Sequence, residues 1–197
     1  MGKINLEIKQ GETFAKTIGY YAGTEVVKSI SSIARGYPTL LSVSGHGLPD
    51  GAHPAWIIGT KPWLNSASLD EADMQFVTKV TTDSVSVRID STGLAAYAGG
   101  GHLAYVPPFD LTTYSARMEV RKSLPSSEIL LTLTTADGLT LADGTISIFI
   151  GATATAAMTF SDAVYDLEIV AGALTDPNAV VTRLFYGNVT LSKEVTR

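Results

Sequence analysis

Apolar and polar residues alternate with a period of two through almost the whole chain, and no apolar stripe at helical spacing is sustained over several turns. This pattern restricts the chain to an all-β fold, because successive side chains of a strand point to opposite faces. Ile4, Leu6 and Ile8 alternate with Asn5, Glu7 and Lys9, and a second run carrying Phe14 and Ile18 follows the Gln10-Gly11-Glu12 turn. These two runs are expected to pair as a first hairpin. Further strands are expected at 40–43, 55–58, 76–80, 85–89, 116–120, 129–133, 146–150, 164–170, 180–185 and 189–191, which suffices for two sheets or more. The Pro49-Asp50-Gly51, Asp137-Gly138, Asp143-Gly144 and Asp176-Pro177-Asn178 turns punctuate them. Short, regularly spaced strands favour a sandwich or a barrel over alternating βαβ units. Only Ala152–Met158 and Leu69–Met74 suggest helix, of one or two turns each.

A chain of 197 residues accommodates one large or two small domains. Two breaks divide it. At 98–108 the sequence AGGGHLAYVPP combines three glycines with a proline pair that cannot donate ladder hydrogen bonds. A weaker break lies at 21–24, and between them the two bracket an insert.

The hydrophobic fraction of 45% is that of a folded protein, while charged residues make up only 17%. With 14 basic and 19 acidic residues and no long basic cluster, nucleic acid is not expected as a partner. The absence of cysteine excludes disulfides, a thiolate nucleophile and a cysteine zinc site. The alternating start of the chain does not read as a signal peptide, Leu6 stands where myristoylation favours Ser or Thr, and no window has the roughly 20 apolar residues that span a bilayer. No membrane association is expected.

Ser44, His46 and Asp50 include the residue types of a hydrolase triad, but the sequence has no G-x-S-x-G nucleophile elbow. Gly45-His46-Gly47 reads instead as a turn whose histidine caps backbone groups. His46, His53 and Asp50 lack metal-site spacing, Gly99–Gly101 lacks the lysine and spacing of a phosphate loop, and the two Asp-Gly pairs lack the calcium-loop pattern. The glycine run reads as a bulged or flexible crossing between domains. No catalytic residue, metal or cofactor is therefore expected, and the chain reads as a non-enzyme. The candidate interface residues are Trp56, Trp63 and Tyr105 in the insert, where exposed aromatics anchor partners or stack on sugars, and Arg117 and Arg121, which share one strand face opposite Met118 and Val120. Phe109 and Tyr114 are expected to pack in a core.

From Phe109 the chain reads FDLTTYSARMEVRKS, then EILLTLTTADGLTLADGTISIFIGATATAAM, VYDLEIV and VVTRLFYGNVTLSKEVTR. This succession resembles the N-terminal β-sandwich domain of tailed-phage baseplate and tail-fibre proteins, the upper baseplate proteins among them. The segment with which that domain opens is matched far upstream, by INLEIKQGETFAKTIGY at 4–20. The intervening stretch, at 45–51, 56–59, 64–65 and 94–101, is similar to a small β-module of phage tail proteins that itself resembles the first catalytic cysteine half-domain of ubiquitin-activating enzymes. Ala52-His53-Pro54-Ala55 departs from that module's pattern. The resemblance implies a discontinuous β-sandwich at 1–24 plus 107–197 and an inserted small β-barrel-like domain at 25–106. It also implies a virion structural protein, assembled in the host cytoplasm: a tail or baseplate adaptor, in several symmetric copies, that attaches a tail fibre or another component to other virion proteins. The alternatives are a carbohydrate- or receptor-binding module and a head decoration or collar protein. Because the chain stops at Arg197, where long fibre proteins continue, the connector alone is expected.

Overall fold

The computed structural model describes residues 2–60 and 73–194. The chain is nearly all β and divides into two compact units, 1–20 with 108–197, and 21–107. The division falls at Tyr20/Tyr21 and Pro107/Pro108, against the sequence boundaries of 24/25 and 106/107. In chain order the first unit contributes β1 (Gly2–Lys3), β2 (Leu6–Lys9) and β3 (Phe14–Gly19). The insert contributes β4 (Val26–Ser29), β5 (Ser32–Ala34), β6 (Thr39–Ser42), β7 (Ala52–Ile58), β8 (Gln75–Thr81), β9 (Ser84–Val87) and β10 (His102–Tyr105). The first unit resumes with β11 (Tyr114–Arg121), β12 (Ile129–Thr134), β13 (Leu139–Ala142), β14 (Thr145–Ile150), α1 (Ala152–Ala156), β15 (Asp162–Ala171) and β16 (Val181–Ser192). The expected strands at 180–185 and 189–191 are one continuous β16, and the expected helix at 69–74 lies largely outside the described residues.

The first unit is sandwich-like. A six-stranded sheet runs β1-β16-β15-β11-β12 with β2 also on β16, and a three-stranded sheet runs β13-β14-β3. Both give alternate residues to one core: Leu6, Ile8, Met118, Leu167 and Val189 from the larger sheet, Ile18, Ile146 and Ile148 from the smaller. The expected hairpin at 4–18 does not form. β2 pairs in parallel with β16, Leu6 opposite Val189, whereas β3 pairs antiparallel with β14, Ile18 opposite Ile146. The Gln10–Glu12 turn thus carries the chain from one sheet to the other. Alternation determines which face each strand buries and leaves its partner open; here each strand gains more from completing a sheet with a downstream partner than from pairing with its neighbour.

β2 reaches β16 through a close approach of backbones. Gly187 lies opposite Tyr165 on β15. A side chain at Gly187 would strike the carbonyl of Ile4, and the Tyr165 hydroxyl donates to that same carbonyl at 2.8 Å. Burial pushes the Tyr165 pKa up to about 12, with the charge of Asp166 adding to it.

Where the insert leaves and rejoins the sandwich, the Phe109 N–H donates to the Tyr20 carbonyl at 3.1 Å, and Tyr20 and Gly144 are joined by a 2.7 Å bond. The rings of Tyr20 and Phe109 lie 5.2 Å apart and those of Phe109 and Tyr114 5.5 Å apart, all packed against the core.

The insert is one seven-stranded sheet in the order β4-β10-β7-β8-β9-β6-β5 around its own core, in which Leu41, Val43, Ile57, Val77, Val85 and Leu103 are buried. Its two edge strands are joined by Ile30 and Ser31 alone, so the sheet must curl until its edges adjoin. No ladder joins them, and among the described residues no sheet closes into a barrel. The barrel-like insert is thereby corrected to an open, curled sheet. The glycine run is also corrected: it lies within the insert, where the Gly101 carbonyl accepts from Ile30 N–H at 3.0 Å and the Gly100 carbonyl from the Tyr97 hydroxyl at 2.6 Å.

Candidate interaction surfaces

The triad residue types at 44–50 are each engaged elsewhere. His46 is only 1% exposed, and its Nδ1 accepts from Leu48 N–H at 3.0 Å. Its Nε2 therefore carries the proton and donates to the Thr81 carbonyl at 2.8 Å. This is the backbone-capping turn expected from the sequence. Ser44 and the Gly45 N–H both donate to Asp83 Oδ1, at 3.1 and 2.7 Å, and these bonds, that of Gly45 foremost, hold the Asp83 carboxyl below its usual range. Asp50 pairs with Lys79 at 3.0 Å. His53 faces the core side of β7, and its Nε2 donates towards the carbonyls of Pro49 and Asp50 at 3.2 and 3.3 Å. The 44–51 loop is thus fastened by two buried imidazoles. Among the described residues no group of three His, Asp or Glu is placed to hold a metal ion.

Tyr105 is corrected from candidate interface residue to core residue. It is 3% exposed, its hydroxyl donates to the His46 carbonyl, and burial raises its pKa. Leu103, Ala104 and Tyr105 are all buried, so two-residue alternation does not predict exposure on β10. Trp63 lies outside the described residues. Trp56 is half-buried on the face of β7 that points away from the core.

Arg117 and Arg121 stand on the outer face of β11, and Met118 and Val120 are buried on the other. Both guanidiniums are engaged within the chain. Arg117 donates from Nε and Nη2 to Glu168 Oε2 at 3.0 and 2.7 Å. Arg121 donates likewise to Glu119 Oε2 at 3.1 and 2.6 Å and reaches the Ser126 carbonyl at 3.2 Å. Beside them Arg183 approaches Asp166 at 3.3 Å and lies 5.6 Å from the centre of the Tyr186 ring. Glu119 and Asp166 are direct cross-strand neighbours, so each carboxylate is neutralised by an arginine rather than by the other strand. The Arg117-Glu168 and Arg121-Glu119 pairs and Asp166 line a shallow groove of about 480 Å³ with Leu124 and Val164 at its side. The groove is polar, self-neutralised and open.

A second surface was not legible in the sequence. On the insert's outward face Val27 of β4 lies opposite Ala104 of β10, and Ala104 opposite Trp56 of β7. One step along β7, Pro54 lies opposite Phe76 of β8. This makes an apolar row across four adjacent strands, half-exposed at its ends, Val27 52% and Phe76 55%, and fully buried at Ala104 between them. Its members come from separate stretches of sequence, and only the strand register brings them together.

Comparison of the chain with protein-family models and with curated proteins finds no match.

Proposed function

We propose that this chain is a structural protein of a tailed-phage virion, an adaptor of the tail or baseplate that attaches a fibre or another tail component and is present in several symmetric copies. The observation that carries the reading is the joining of the two segments that hold the resemblance. The opening segment at 4–20 supplies one strand to each sheet of the sandwich, and the closing VTLS stretch is the direct partner of its first half, Leu6 opposite Val189 and Ile8 opposite Leu191. The segment that interrupts the pattern folds as a compact unit of its own. Strand edges support a docking role: β12 ends the six-stranded sheet, and β3 and β13 end the three-stranded one. Such edges are templates for strand addition from a neighbouring virion protein.

Mass spectrometry of purified, nuclease-treated particles tests the proposal. The chain is expected among the virion proteins in multiple copies per particle; its absence from particles that are otherwise complete would overturn the adaptor reading.

A further inference from the structure

Three turns of the chain hold an aspartate followed by a glycine: Asp50-Gly51, Asp137-Gly138 and Asp143-Gly144. In such a pair the glycine nitrogen can reach the aspartate side-chain carboxyl, and no Cβ on the glycine obstructs its approach. Attack requires the peptide between the two residues to turn about the Cα–C bond of the aspartate. Any hydrogen bond that fixes that peptide, or the glycine beyond it, must first open.

The three pairs differ in how they are held. Gly144 is buried, its N–H donates to the Phe109 carbonyl at 2.9 Å, and its carbonyl accepts from Tyr20 N–H at 2.7 Å. The Asp137 carbonyl accepts from Thr134 N–H and the Gly138 carbonyl from Phe149 N–H, both at 2.8 Å. At Asp50 only His53 Nε2 reaches the peptide, at 3.3 Å, and it shares its proton with the Pro49 carbonyl. The Gly51 N–H donates to no described group, and a Cβ there would meet nothing nearer than His53 Nε2 at 4.0 Å. The Asp50 side chain is 95% exposed, so its 3.0 Å ion pair with Lys79 restrains it weakly.

We propose that Asp50-Gly51 is a self-modification site, at which the native chain forms a succinimide and then isoaspartate. The Gly51 nitrogen bonds to Cγ of the protonated Asp50 carboxyl, and the Cγ–O bond breaks with loss of water. Water then opens the ring. Cleavage of the nitrogen–Cγ bond restores aspartate, whereas cleavage at the former backbone carbonyl leaves the chain running through Cβ and Cγ and that carbonyl as a free carboxylate. The step needs no oxidant or reductant, and the proposal is independent of the virion reading.

Ageing of the full native chain at neutral pH and physiological temperature, followed by peptide mapping for isoaspartate, tests it. Isoaspartate is expected at residue 50 at least roughly fivefold faster than at 137 or 143, the factor for one further hydrogen bond to open first. In the urea-unfolded chain the three pairs are expected to react at similar rates. Asp50→Asn, whose side chain leaves as ammonia, is expected to show the same event as a gain in mass, sooner than Asp137→Asn. No isoaspartate at residue 50 in the native chain, equal or faster formation at 137 or 143, or a native ranking that persists in urea would overturn the proposal.

Discussion

The outer face of the sandwich's large sheet and the outer face of the insert's sheet are built from the same strand geometry and offer opposite chemistry. On the sandwich, Arg117 and Arg121 alternate with buried residues, and these two and Arg183 are matched by Glu168, Glu119 and Asp166 on their own or neighbouring strands. That face has neutralised itself and can remain in water, where half-exposed pairs add little stability. On the insert, the corresponding outward strand positions are uncharged among the described residues, and the apolar row is half-exposed at its two ends, Val27 and Phe76. The sandwich face balances its charges within itself, whereas the insert face takes its character from apolar residues that only the strand register brings together.

Reading any change at these faces requires that the two units be separable in stability, and the largest expected effects come from the close backbone approaches that hold each together. Gly187→Ala would force β16 away from the Ile4 carbonyl, and Gly101→Ala would place a methyl 2.8 Å from the Thr60 nitrogen and 2.9 Å from the Ile58 carbonyl at a φ of +89°. Each is expected to cost about 3 kcal/mol, the upper range for forced overpacking. Scanning calorimetry should show each variant lowering the melting of its own unit and sparing the other; a shift of both units by either variant would mean that they unfold as one.

A smaller effect sharpens the contrast between the cores. Tyr165→Phe removes the bond to the Ile4 carbonyl and is expected to destabilise the sandwich by about 1 kcal/mol. Because burial raises the Tyr165 pKa to about 12, its stabilisation is complete below the unfolded value near pH 10 and is lost as pH rises through about 12. Thermal melts at rising pH should therefore converge between wild type and Tyr165→Phe in that window, and a difference that persists unchanged would refute the assignment.

The smallest effect is shared by the units. Asp110 accepts from the Thr112 hydroxyl and N–H at 2.6 and 2.9 Å, and Asp90 accepts from the same two groups of Thr92 at 2.7 and 3.0 Å. These bonds lower both carboxyl pKa values. Their stabilisation is present above the unfolded value near pH 4 and is lost as pH falls through the depressed folded value. Asp90→Asn and Asp110→Asn should thus differ slightly from wild type at neutral pH and converge with it in strong acid; a difference that first appears on acidification would contradict this account.

Much of the fold was legible because alternation reports faces directly: Leu6 and Ile8, Met118 and Val120, and Ala163, Tyr165, Leu167 and Ile169 are buried as the pattern requires. Strand partners were not legible, since Leu6 to Lys9 would bury the same side chains beside β3 or beside β16. Strands β4, β5, β10 and β13 escaped notice because three or four residues hold barely one alternation, and His102–Tyr105 is framed by glycines and prolines that read as a boundary. Of the candidate surface, Trp56 was found from its type alone. Phe76 and Val27 were not, because what distinguishes them is the company they keep across strands. Arg117 and Arg121 were placed on the right face, but their carboxylate partners on β15 and within β11 became visible only with the register.

The adaptor reading meets its most direct test in a low-resolution map of the particle with this chain labelled. The account predicts several symmetry-related copies on the tail or baseplate, each in contact with a fibre or another tail component. Label confined to the head, or no label on any particle, would contradict it.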